Sequence, residues 1–383
     1  MTSTTEGFLV PFCYGVLSTY PPTQCGLATF SAALLSELIA DPGESARVVR
    51  LAERPGPLPD GVVVAELVPG DPAGLVRSAE ELNCCDVAIV QHEYGVYGGS
   101  DGADVITVLD DLRVPSIVVL HTVLTRPTPH QRSVLRSVVA RADAVVTMTR
   151  TARDRLAAGY EVDMRKVTVI PHGAPRTLPA VSGTRSERPV VLTWGLLGPG
   201  KGIEWGIEAM ARLGDLEPSP RYVVAGQTHP KVRAREGEAY RDRLREQVRR
   251  LGLGASVTFD GRYRDNAALA QLVGSADVVL LPYDSVDQVT SGVLIEAVAA
   301  LKPVVATRFA HATELLCGGA GLLVGHQDPV AIADALRIVL TRADLAAGMA
   351  RAAAATAPGL LWPTVAQAYR ELACGVVSAR SAA

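Results

Sequence analysis

The chain has 383 residues, 48% hydrophobic and 20% charged, with a formal net charge of −3. That length favours two domains over one, and the apolar fraction is ample for two cores. The slight negative charge argues against general binding to nucleic acid or to an anionic membrane, and no apolar run reaches transmembrane length. The opening MTSTTEGFLVPFCYG lacks a basic n-region, so no secretory signal is expected. Six cysteines (Cys13, Cys25, Cys84, Cys85, Cys317, Cys374) show no C-x-x-C spacing. They are expected as reduced thiols of a cytoplasmic protein with no zinc site, Cys84 and Cys85 standing at the start of a buried strand.

TYPPTQCGLATFSAALLSEL places Gly26 in a tight turn before a helix. Strand-length apolar runs then alternate with amphipathic stretches: VAIVQ (87–91), SIVVLH (116–121), AVVTM (144–148) and VTVIP (167–171). The first of these leads into QHEYGVYGG, dense in polar and aromatic groups, with His92, Glu93 and Tyr94. The second ends on His121. Polar residues at strand ends near a switch region of an α/β sheet are better site candidates than a lone histidine elsewhere. HQRSVLRSVVARADA reads as a helix with Val134, Leu135, Val138 and Val139 inward. Its Arg132 and Arg136 are read as a solvated face rather than a membrane contact. Gly173 to Pro189, rich in Pro, Gly and Ser, is the clearest linker and splits the chain into halves of similar size.

The second half repeats the alternation: VVLTWG (190–195), YVVAG (222–226), VTFDG (257–261), VVLLP (278–282) and VVAT (304–307). Strands buried on both faces and separated by helices mean parallel α/β layers. GLLGPGKG (195–202) follows a strand and precedes a helix. It is nearly a Walker A loop, but Gly202 stands where a magnesium-binding hydroxyl is required, so an ATPase reading is weak. Lys201, in a Gly-rich turn beside an apolar strand, fits a phosphate contact. AGQTHPK ends the next strand and places His229 and Lys231 near the same turn. REGEAYRDRLREQVRRLGLG is dense in mixed charge and reads as a solvated helix face. In PYDSVDQVTSGVLIEAVAALKPVVAT a polar loop ends at Ser291-Gly292. A helix begins there and carries Glu296 in about its first turn. Such a helix N-terminus suits a phosphate, and a carboxylate slightly further along suits a ribose diol.

This stretch resembles the C-terminal domain of family 4 glycosyltransferases, which have the two-domain GT-B fold. Their Glu-x7-Glu signature falls on Gln288 and Glu296, the first acid having become an amide. The resemblance covers nearly the whole chain. It implies two doubly wound, Rossmann-like α/β domains with an inter-domain cleft: residues 1–178 on the acceptor side, and 189–358 on the nucleotide-sugar donor side. Residues 359–383, with LLWPTVAQAYRELACGVV, would form a helix crossing back to the first domain. VIPHGA (169–174) matches the hinge segment, which makes His172 structural or at the cleft edge. The family carries an Arg where this chain has Leu196.

The resemblance implies a retaining, metal-independent hexosyltransferase that uses a nucleotide-diphospho sugar such as a UDP- or GDP-hexose, with no cofactor. Gly26, Lys201, His229, Ser291, Gly292, Val293 and Glu296 would bind the donor. His121 and Gln288 would act at the sugar, and His92, Glu93 and Tyr94 would lie on the acceptor side. The acceptor would be a carbohydrate or small molecule. No nucleic-acid partner is expected, and membrane contact is not favoured. Three alternatives stand beside this reading: a phosphorylase on the same fold, a nucleotide-sugar epimerase, and a non-catalytic sugar-nucleotide binding subunit.

Overall fold

The computed structural model of the chain describes residues 12–58, 61–176, 187–262, 264–285 and 288–382. Most of the expected linker, residues 177–186, lies outside the described residues. The chain separates into two compact units. The first holds the residues up to Thr147, Arg153–Ile170 and Ala366–Ala383; the second holds Met148–Ala152 and Pro171–Val365.

The first unit is built on seven parallel strands: β1 (Cys13–Ser18), β2 (Ser45–Leu51), β3 (Val63–Leu67), β4 (Val87–His92), β5 (Ser116–Leu120), β6 (Ala144–Thr147) and β7 (Val167–Val169). Their order in the sheet is β3-β2-β1-β4-β5-β6-β7. All residues of β4, β5 and β6 are buried, as parallel strands covered on both faces must be. The helix Pro129–Arg141 shows why the covering layer forms where it does. Thr128 and Gln131 make a reciprocal capping box, proline stands in the first turn, and Val134, Leu135, Val138 and Val139 are the buried stripe. The unit is completed by the helix Trp362–Ser381 from Ala366 onward. There Arg370 donates to the carbonyls of Glu37 and Leu38, where the helix Gly26–Leu38 ends, and pairs with Asp41 at 3.4 Å. A guanidinium satisfies unpaired helix C-terminal carbonyls and matches the negative end of the dipole.

Six further parallel strands form the second unit: β8 (Val190–Trp194), β9 (Arg221–Ala225), β10 (Val257–Asp260), β11 (Val278–Leu281), β12 (Val304–Thr307) and β13 (Gly321–Val324). Their order is β10-β9-β8-β11-β12-β13. One apolar cluster, with Trp194, Leu294, Ile295, Val298 and Phe309, lies on one face. A second, with Ile203, Ile207, Tyr222, Leu244 and Leu336, lies on the other. In both sheets the chain reverses its winding after the third strand, so β1/β4 and β8/β11 flank the switch points. Ligands of doubly wound sheets bind beyond the strand ends at such points.

Four strands, β1, β2, β3 and β13, were not evident from apolar runs. β2 and β3 carry charge in register: Arg50 stands opposite Glu66 and the two pair within the protein. A buried cross-strand ion pair hides a strand from a hydrophobicity reading. The start of β4 also differs from expectation: Cys84 and Cys85 precede the strand, and of the two only Cys85 is buried. Glu296 falls in the second turn of the helix Gly292–Ala299 rather than the first.

Candidate active site

The turn after β8 is shaped by close backbone approach. Gly202 has φ +60°, and a Cβ there would lie 1.8 Å from the Pro282 carbonyl oxygen at the end of β11. Only glycine fits, which accounts for the missing Walker A hydroxyl. The amide of Asp284 donates to the Gly200 carbonyl at 3.0 Å, and the Trp205 indole donates to Asp284 Oδ1 at 2.9 Å. The loops on the two sides of the β8/β11 switch point are thus tied together. Lys201 Nζ sits 4.2 Å from the centre of the Tyr283 ring, which is itself stacked on Phe309 at 5.0 Å. This cation–π contact holds the ammonium over the strand end.

Beyond β11, Ser291 caps the helix Gly292–Ala299, its Oγ accepting from the Leu294 amide at 3.3 Å. The Ser291 amide donates to His311 Nδ1 at 2.8 Å. Burial pushes His311 down to about 4, so it stays a neutral acceptor. A Cβ on Gly292 would lie 3.0 Å from His172 Nε2, so the first helical residue is pressed against that ring. His172 Nδ1 donates to the Gly173 carbonyl at 2.7 Å, and burial lowers its pKa to about 4 as well. The Gln288 amide turns back on its own loop, donating to the Thr290 carbonyl at 3.1 Å.

Glu296 Oε2 accepts from the Trp194 indole at 3.0 Å, and its other oxygen has no partner among the described residues. Burial raises this carboxyl to about 7, against the opposing effect of the indole hydrogen bond. Trp194, at the end of β8, is 5% exposed. It was not a candidate from sequence. The available signal was an indole closing the buried strand VVLTW, whose N–H needs an acceptor once buried. Val293 packs beside the turn after β8: a Cβ on Gly195 would meet it at 3.4 Å. Lys201, Ser291, Gly292, Val293 and Glu296 therefore gather around one switch point. His229 joins them from the end of β9, its amide donating to the Leu197 carbonyl at 2.8 Å.

The other candidates lie in the first unit, around the ends of β4 and β5. His121 Nε2 donates to Gln91 Oε1 at 2.7 Å, and its ring meets Phe30 edge-on at 5.0 Å. Glu93 accepts from the Tyr94 amide at 2.9 Å and from the Thr122 hydroxyl at 2.7 Å. The Tyr94 hydroxyl donates to the Gln131 carbonyl at 3.3 Å. His92, expected to face an acceptor, is fully buried as the last residue of β4 and packs against Tyr94. Neither of its ring nitrogens has a partner among the described residues, and burial lowers its pKa to about 4. Gly26 is the first residue of the helix Gly26–Leu38, capped by Cys25 Sγ, and a Cβ there would meet nothing within 4 Å.

Comparison with solved structures supports the architecture. Sucrose-phosphate synthase from Thermosynechococcus elongatus superposes with a TM-score of 0.76 at 19% identity, over 96% of this chain and all of that one. An Anabaena protein, HepE, solved with UDP and glucose, superposes with a TM-score of 0.74 at 18% identity, over 95% of this chain and 100% of that one. A glycosyltransferase from Rickettsia africae gives 0.75 at 14% identity, over 96% and 99%. The fold is therefore that of the GT-B class, two parallel-sheet α/β domains.

Two family models run along the chain without a gap. Glycosyltransferase Family 4 matches residues 37–177, and Glycosyl transferases group 1 matches residues 176–356. The chain belongs to the family 4 glycosyltransferases. A D-inositol 3-phosphate glycosyltransferase of Stackebrandtia nassauensis is 32% identical over 241 residues, 58% of this chain and 53% of the relative. A GDP-mannose-dependent alpha-(1-6)-phosphatidylinositol dimannoside mannosyltransferase of Mycobacterium tuberculosis is 30% identical over 148 residues, 39% of this chain and 34% of the relative. The matched part of the chain spans about half the length of the first relative and about a third of the second. Among the described residues, no helix is long and apolar enough to cross a membrane.

Proposed function

We propose that this chain is a retaining glycosyltransferase that moves a hexose from a nucleotide-diphospho sugar to a carbohydrate or small-molecule acceptor. One observation carries the reading. At the β8/β11 switch point an anchored lysine, Lys201, stands with a Ser291-capped helix N-terminus whose next turn presents a half-satisfied carboxylate, Glu296. The open Glu296 oxygen suits a ribose diol. Lys201 and the amides of Gly292 and Val293 suit a pyrophosphate. The naming of UDP in the Anabaena structure and of GDP-mannose in the mycobacterial relative supports a nucleotide-sugar donor without choosing the base.

In the proposed reaction the anomeric C–O bond to the diphosphate breaks and the acceptor oxygen bonds to the same carbon on the same face. Negative charge develops on the leaving phosphate, where Lys201 and the helix amides stabilise it, and that phosphate takes the acceptor proton. Gln288 and His121 bind hydroxyls of the donor sugar. No dedicated protein base is needed, and the lysine and helix terminus supply the positive charge without a divalent ion. Glu93 and Tyr94 lie on the acceptor side, and the protein works in the cytoplasm.

The test is a thermal-shift panel of UDP, GDP and their hexose conjugates, followed by product analysis with the donor that binds. A saturating nucleotide at about 100 times its Kd stabilises by roughly 2.7 kcal/mol. Transfer with retained anomeric configuration, undiminished after exhaustive chelation, is expected. An inverted product, a donor isomerised without acceptor, or turnover that needs free phosphate would overturn the reading.

A further inference from the structure

β4 reads VAIVQH, an apolar run that ends on Gln91 and His92. Gln91 is fully buried. Its backbone is pinned on both sides. It stands in register with Val119 of β5, and the Tyr97 hydroxyl donates to its carbonyl at 2.7 Å while lying 3.5 Å from the Leu17 carbonyl of β1. The side chain is held at one end. Its Oε1 accepts from His121 Nε2 at 2.7 Å, and its Nε2 is buried with no partner among the described residues. A buried amide left half satisfied costs stability that an apolar side chain of similar volume would not. Packing of the strand therefore gives no reason for an amide at this position, whereas the contact with His121 does.

His121 stands one residue beyond the end of β5, and its amide donates to the His92 carbonyl at 3.0 Å. Phe30, from the helix Gly26–Leu38, meets the ring edge-on at 5.0 Å. The backbone bond sets where the side chain starts, and the phenyl ring limits its tilt. Of these contacts, the Gln91 amide alone also selects a proton position. A neutral imidazole carries its proton on one nitrogen or the other, and a carbonyl oxygen accepts but cannot donate. Gln91 Oε1 therefore favours the tautomer with the proton on Nε2.

We propose that Gln91 is a positioning residue for transfer: its buried side-chain carbonyl holds His121 in the Nε2–H tautomer and fixes the ring's orientation for the donor sugar. This deepens the functional reading above and rests on it. In this role Gln91 touches no substrate and acts wholly through His121. Its removal costs turnover only while the imidazole is present.

The experiment compares wild type, Gln91→Met, His121→Ala and the double variant Gln91→Met/His121→Ala. Each is melted, titrated with UDP and GDP by calorimetry, and assayed with whichever UDP- or GDP-hexose wild type turns over. Ring-nitrogen NMR of isotope-labelled histidine reads the tautomer, the His121 signals being assigned by their loss in His121→Ala. Wild type should carry the His121 proton on Nε2, and Gln91→Met should show a mixture of the two tautomers. Gln91→Met should melt no lower than wild type and bind the bare nucleotide as wild type does. Its turnover should fall by about tenfold or more, the scale of a misplaced group at a reacting centre. The double variant should be no slower than His121→Ala alone, because the two residues act as one unit. A wild-type ring protonated on Nδ1, or losses that multiply in the double variant, overturns the assignment. So does a Gln91→Met variant that melts well below wild type, since the amide would then serve the fold. If Gln91→Met turns over normally while His121→Ala does not, this inference falls and the functional reading stands. If wild type transfers from none of the donors, both fall.

Discussion

The indole N–H of Trp194 donates to Glu296 Oε2 at 3.0 Å, joining the last residue of β8 to a helix that begins 98 positions later in the chain at Gly292. The second carboxylate oxygen has no hydrogen-bond partner among the described residues. This relationship sets the behaviour expected of both residues.

Glu296→Ala should weaken nucleoside diphosphate binding by about tenfold or more, since a charged hydrogen bond contributes roughly 1.5–3 kcal/mol. Calorimetry checks this. Glu296→Gln separates function from stability. The carboxyl rises from 4.5 in the unfolded chain to about 7 when folded, so the folded state binds the extra proton between those values. Its destabilisation is absent below about pH 4.5, grows as pH rises through the window and is complete above about pH 7. The ligand-free Gln variant, which keeps an acceptor for Trp194, should exceed wild type in stability by up to about 3 kcal/mol at pH 8, the equivalent of the shift. Denaturant melts should show that gain vanish near pH 4.5.

Trp194→Phe removes the donor that favours the ionised acid. The Glu296 pKa should rise further, and nucleotide affinity, which prefers the carboxylate, should reach its plateau at a higher pH than in wild type. Because Phe keeps most of the packing, the fold should survive. Identical pH profiles for the two proteins would mean that the indole does not control the carboxylate.

Gly202→Ser completes a Walker A pattern on paper. The side chain would start 1.8 Å from the Pro282 carbonyl oxygen at a residue with φ +60°. The backbone must move, and the tie between the loops after β8 and β11 should loosen. A loss of roughly 2 kcal/mol or more in thermal or denaturant stability is expected. Weaker nucleotide binding should accompany it, with no gain of magnesium-dependent ATP hydrolysis.

His121→Ala should lower turnover by roughly 10²-fold, the size seen when one transition-state donor is removed, with little change in affinity for the bare nucleoside diphosphate. Gln288→Glu probes the other proposed sugar contact. Donor preference or rate should change and nucleotide affinity should not. Normal turnover in His121→Ala together with no effect of Gln288→Glu would remove both from the proposed chemistry.

The strand–helix alternation was legible in the sequence because central parallel strands are buried on both faces and appear as short apolar runs, as β4, β5, β11 and β12 do. Peripheral strands such as β2 and β3 were not, since their Arg50–Glu66 pair is compensated only across the sheet. Lys201, Ser291 and Glu296 were legible because a Gly-rich turn and a capped helix after apolar strands are local patterns. Their partners were not. Trp194 meets Glu296, Tyr283 meets Lys201 and His311 meets Ser291 through contacts that depend on how the strands are ordered in the sheet. His92 shows the same limit from the other side. Its position at a strand end was readable, but whether the ring faced solvent or core depended on where β4 ended and on the packing of Tyr94 against it. Local sequence determines which backbone can form and which chemistry is at hand. The tertiary structure decided which of those groups are buried, and so which carry shifted proton affinities, because burial is a property of the packed layers.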